Sequence, residues 1–118
     1  MKKQMGFAAL IALAALHPAR SNEASVLHSP IGGALVAKII GETCTGTLSS
    51  AEVAELGSYV DVKVAIEKAK SAEAKRYMER LIPELDADYR SSRTCGVGDA
   101  ELAKDMLLRV RKEVEAER

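Results

Sequence analysis

The sequence predicts an all-α fold: a small, disulfide-stapled antiparallel helical bundle of three main helices, with room for a short fourth at the N-terminus. Three observations lead there. Capping residues (Ser49, Ser71, Asp99) recur just ahead of apolar rows at helical spacing. The candidate core is almost wholly aliphatic: there is no Trp, and the one Phe, Phe7, lies in the N-terminal apolar run. Two cysteines, Cys44 and Cys95, flank the middle two helices.

Taken in order, the chain opens with Lys2 and Lys3, an apolar run from Phe7 to Leu16, a break at His17-Pro18 and the triplet Ala19-Arg20-Ser21. That is the layout of a secretory signal peptide, so residues 1–21 are expected to be removed and residues 22–118 to form a single helical domain. Ala19 and Ala24 are alternative cut sites. The competing role, a retained membrane anchor, is disfavoured because a span needs ~20 apolar residues and this run is half that. No cysteine ends the run to carry a lipid.

Residues 22–29 show no period and read as a tail holding His28. Ser29-Pro30 starts a short helix, with Ser as cap and Pro at a position needing no N–H. It is expected to run to about Ile40, to be weakened by Gly32 and Gly33, to stop at Gly41, and to lie over one end of the bundle. Ser49 and Glu52 match a capping box, opening a helix from Ser50 to about Lys70 with Val53, Leu56, Val60 and Val64 on one face and Tyr59, Val62 and Ile66 on another. A strand competes here, because Val60, Val62, Val64 and Ile66 alternate with Asp61, Lys63 and Ala65. It has no convincing partner strand, and a lone strand leaves its backbone unsatisfied.

Ser71 caps the next helix. Its stripe is the cleanest in the chain: Ala74, Tyr77, Met78, Leu81, Ile82, Leu85 and Tyr89. Pro83 inside it predicts a kink or a brief interruption near Ile82. Asp99 is expected to cap the last helix, Ala100 to about Ala116, with Leu102, Ala103, Met106, Leu107, Val110 and Val114 inward.

A tight turn at Ser71 folds the two middle helices against each other and returns Cys95 to the end where Cys44 lies. A disulfide needs Cα atoms within ~7 Å, which this path supplies. Closing a loop of about 50 residues is worth roughly 4 kcal/mol on loop entropy. In an exported protein, Cys44 and Cys95 are therefore expected to form a structural disulfide. Without a Cys-x-x-Cys run or a third cysteine, nothing marks the pair as a catalytic redox centre.

Chemistry is otherwise sparse. His28 is the one histidine beyond the signal, too few for a zinc site once the cysteines pair. Glu84, Asp86 and Asp88 lack the glycine and the terminal carboxylate of a calcium loop. The glycines at Gly32-Gly33 and at Gly96 and Gly98 lack the Lys-Ser/Thr continuation of a phosphate loop. A hydroxyl- or thiol-based triad has no base. Carboxylates alone could serve a glycosidase, but a domain this small and poor in aromatics has little to build a sugar cleft. Lys75, Arg76 and Arg80, then Arg109, Arg111 and Lys112, are interleaved with Glu, which is the pattern of a solvated helix face.

The chain has 17 basic and 17 acidic residues. Loss of Lys2, Lys3 and Arg20 with the signal leaves it about −3, which argues against nucleic-acid binding and against electrostatic attachment to anionic lipid. The sequence thus points to a small, periplasmic or secreted, non-enzymatic binding or accessory protein of a bacterial-type cell envelope. It would need no cofactor or metal, have no membrane span after cleavage, and act on another envelope protein through a helical surface. The alternative, resting on the abundance of carboxylates, is a periplasmic chaperone that opens under acid or other stress.

Overall fold

The computed structural model describes residues 29–118. The expectations for the signal segment 1–21, the tail and His28 lie outside them. The described residues form four helices and no strand: α1 (Pro30–Thr43), α2 (Ser50–Lys68), α3 (Ala72–Ser91) and α4 (Val97–Ala116). One disulfide joins Cys44 to Cys95, with an S–S distance of 2.03 Å and Cα atoms 5.3 Å apart.

The main departure from expectation is α1. Rather than a short lid over one end, it is the central helix, packed against α2, α3 and α4. Ala34, Leu35, Val36, Ala37, Ile39 and Ile40 are all buried, and Ala37, Ile39 and Ile40 have no exposed surface at all. The physical reason is visible in the residues. Apolar residues spread round most of the helix, leaving Lys38 and Glu42 as a narrow polar edge, so several neighbours must cover it. Ser29 caps it by accepting from Gly32 N at 3.1 Å. Gly41 does not stop it; α1 continues to Thr43 and Cys44 is its C-cap. Gly41 is instead a contact point, because a Cβ there would sit 2.6 Å from Val53 Cγ2 and 3.0 Å from Leu48 Cδ1. Lacking that atom, α1 and α2 can approach closely.

The capping box of α2 forms in both directions: Ser49 Oγ accepts from Glu52 N at 3.1 Å and Glu52 Oε1 accepts from Ser49 N at 2.8 Å. The helix ends at Lys68, two residues before the expected limit. Residues 60–66 are helical, which removes the strand alternative. Positions two apart on a helix lie about 200° apart. The alternating valines are accordingly split between faces, with Val60 buried and Val62 57% exposed.

Ser71 caps α3 through Ala74 N at 2.9 Å. The helix is continuous from Ala72 to Ser91 with Pro83 inside it, so of the two expected outcomes the interruption does not occur. Pro83 lies on the exposed face, where the carbonyl it leaves without a donor can meet water. Met78, Leu85 and Tyr89 are buried, and Leu81 packs beside them, while Tyr77 stays on the surface.

The expected cap of α4 is corrected. Gly96 is the N-cap and Asp99 lies in the first turn. The Asp99 carboxylate still serves the helix start, reaching back to accept from Thr94 N at 3.1 Å and Cys95 N at 3.0 Å. That grip matters because Cys95 has φ +57°, a left-handed backbone costly for a residue with a Cβ. Ala103, Leu107 and Val110 face the core as expected, but Val114 is partly exposed beside α2.

Candidate functional site

Two ends of the bundle differ in chemistry. At one end lie the disulfide, Gly41 and the Asp99 turn. Arg93 reinforces that turn: its Nη1 is 3.4 Å from Asp99 Oδ1 and its Nε donates to Tyr89 O at 2.8 Å. Backbone donation from Cys95, then from Thr94, and the Arg93 charge hold the Asp99 carboxyl below its ordinary range. Arg90 spans from α3 to Glu42 of α1 at 2.6 Å while gripping Asp86 of its own helix.

At the other end, where α1 begins, the helices leave a cleft of 440 Å³. Ile31 of α1, Ile66 of α2 and Tyr77, Met78, Leu81 and Ile82 of α3 line its apolar wall; Lys63, Glu67 and Glu113 supply charge at it. Ile66 is 49% exposed and also borders a shallower groove between α2 and α4, with Val62 and Val114. The two depressions meet at Ile66 and Lys63. They arise because α2 carries apolar residues on two faces, and α1 covers just one of them.

A polar cluster stands beside these depressions. Tyr59 OH donates to Glu113 Oε1 at 2.6 Å. Lys63 Nζ lies 2.7 Å from Glu113 Oε2, 3.1 Å from Glu117 Oε2 and 5.5 Å from the Tyr59 ring centre. Hydrogen bonds from Lys63 and then Tyr59 hold Glu113 below its usual range, and the same contact raises Lys63. Burial first, and then Glu113, push the Tyr59 phenol far above its ordinary value. Each group is driven deeper into its resting protonation state. An acid or base catalyst needs the reverse, a pKa drawn towards the working pH. The cluster ties α2 to α4. A second tie is the two-point grip of Arg111 on Glu55, at 2.8 and 2.9 Å, which lowers the Glu55 pKa.

Among the described residues, no three His, Cys, Asp or Glu side chains converge where a metal ion could be held. Glu84 and Asp88 are exposed, and Asp86 is engaged with Arg90. Of the basic residues, Arg109 pairs with Asp105, and Arg80 lies over the Tyr77 ring. No described helix is long and apolar enough to cross a membrane. The sequence-predicted site residues Cys44 and Cys95 are brought together. The helical stripes place Val62, Ile66 and Tyr77 inward together with Met78; Met78 is buried, but the other three are exposed. The signal for Val62 and Ile66 is the excess of apolar faces on α2 over the single helix able to cover them.

These features define a small, once-crosslinked, all-helical domain. No family model, no curated protein and no solved structure matches the chain.

Proposed function

We propose that this chain is a small exported accessory protein of a bacterial-type cell envelope, periplasmic or secreted, that acts by binding and not by catalysis. In this reading residues 1–21 are removed on export. The partner is another envelope protein, which presents an amphipathic helix to the α2–α3 cleft. The observation that carries it is Ile66, 49% exposed at the cleft, with the exposed Val62 four residues before it on the same face of α2, at the adjoining α2–α4 groove. That spacing suits the i, i+4 anchors of a helix laid in a groove. The Cys44–Cys95 disulfide supports an oxidising compartment.

A photo-crosslinker at position 62, with one at Glu101 near the disulfide end as control, tests this in envelope extract. The reading expects one protein to crosslink from position 62 through an amphipathic segment, and Ile66→Glu to abolish it. Equal capture from both positions, or capture insensitive to Ile66→Glu, would overturn it.

A second reading, an acid- or stress-opened periplasmic chaperone, is favoured by one observation. The ties of α2 to α4 (Arg111 on Glu55, Lys63 and Tyr59 on Glu113) and of α1 to α3 (Arg90 on Glu42) all end on carboxylates. Protonation of Glu55 and Glu113, whose pKa values these ties lower, would release the α2–α4 ties. This reading requires apolar dye binding and aggregation protection at pH ~3; a native near-UV tyrosine spectrum at that pH would end it.

A further inference from the structure

The two halves of the disulfide stand in opposite surroundings. Cys44 ends the central helix and is 3% exposed, within the core cluster. Cys95 is exposed, on the short segment between α3 and α4. The backbone is left-handed at Cys95 and is held by the two N–H bonds to Asp99. Cys95 is therefore an exposed residue on a fixed loop.

We infer that Cys95 Sγ is a thiol–disulfide exchange site, the sulfur at which an external thiolate opens this crosslink, with Cys44 as the leaving sulfur. The attacking thiolate forms a bond to Cys95 Sγ as the Cys44–Cys95 bond breaks, and the electron pair leaves on Cys44 as a thiolate. With a monothiol the product is a mixed disulfide on Cys95 and a free Cys44. With a dithiol, the second thiolate attacks the mixed disulfide, the reductant departs as its own cyclic disulfide, and both protein cysteines take up protons. The chain needs no third cysteine, since it is the substrate of this exchange and the reductant supplies the resolving thiol.

Electrostatics and access pull in opposite directions here. Cys95 precedes the N-terminus of α4, whose dipole would favour it as the departing thiolate, whereas Cys44 caps the negative end of α1. A helix end changes such a preference by a factor of about five. The Asp99 carboxylate, bonded to the Cys95 N–H, offsets part of that at α4. The Thr43 hydroxyl lies 3.7 Å from Cys44 Sγ but donates its proton to Ile39 O at 2.8 Å, so it does not favour departure of that sulfur. Attack at Cys44 would first require the core around the end of α1 to open, so access decides.

The test treats the oxidised protein with reduced glutathione under native conditions, quenches with acid and maps the adduct by peptide mass. The adduct should fall on Cys95 over Cys44 by roughly tenfold or more. With dithiothreitol in its place, no adduct should persist and both thiols should be free. Independently, the single thiol of C44S should react with an aromatic disulfide reagent about tenfold faster than that of C95S. The wild-type map stands whether or not those variants fold. Adduct divided equally, adduct on Cys44, or none until urea is added would each overturn the inference.

Discussion

The two ends of this bundle are built to opposite rules. Where α1 ends, every strained or close feature has a partner: Cys44 has Cys95, the left-handed Cys95 backbone has Asp99, and Gly41 admits Val53. Where α1 begins, Ile66 and Tyr77 remain on the surface around an apolar cleft, with Val62 exposed at the adjoining groove. The contrast separates residues that hold the fold from residues that leave a face available. Stability lost at the first end should not be lost at the second.

The sharpest test of that division is removal of the crosslink. Replacing both cysteines by serine is expected to lower unfolding free energy by about 4 kcal/mol, read as the urea midpoint of the helical signal. Gly41→Ala should cost about 1–3 kcal/mol in the same assay, since the added methyl overlaps Val53. Val53→Ala in that background should recover part of the loss, and strict additivity of the two would show that they do not touch.

Acid gives a smaller, distributed effect. Glu55, Asp99 and Glu113 all have folded pKa values lowered by their partners. Their contribution is complete above the unfolded carboxylate range and is lost as pH falls through the lowered values. Melting temperature should therefore be level from neutrality to pH ~5 and fall below pH ~4. Asp99→Asn should flatten part of that fall. The smallest effect is expected at the open end, where Val62→Ser with Ile66→Ser should alter stability by about 0.5 kcal/mol or less. A loss comparable to that of the cysteines would break the contrast between the ends.

Caps, helix class and crosslink were legible in the sequence because each is local or follows from chain path: Ser49 with Glu52, Ser71 with Ala74, and a return that brings Cys95 to Cys44. The rank of the helices was not. Gly32, Gly33 and Gly41 mark α1 as weak on intrinsic propensity, and burial against three neighbours overrides that penalty. Which apolar face of α2 is covered was likewise hidden, since it depends on where α1 lies. Tyr77 and Val114 followed the correct period but fell at the margins of their stripes, and period alone does not say how wide a cover is.

The central helix is also the first described stretch of chain to be synthesised. α1 is made before any of the three helices that enclose it, and alone it has only the narrow Lys38–Glu42 edge to offer water. Its burial waits on α4, whose Ala103, Leu107 and Val110 complete the core, and the disulfide can close only after Cys95 has emerged. Assembly is therefore set by the last helix made, and the amides of Val36 to Ile40 should exchange with solvent only when the whole molecule opens.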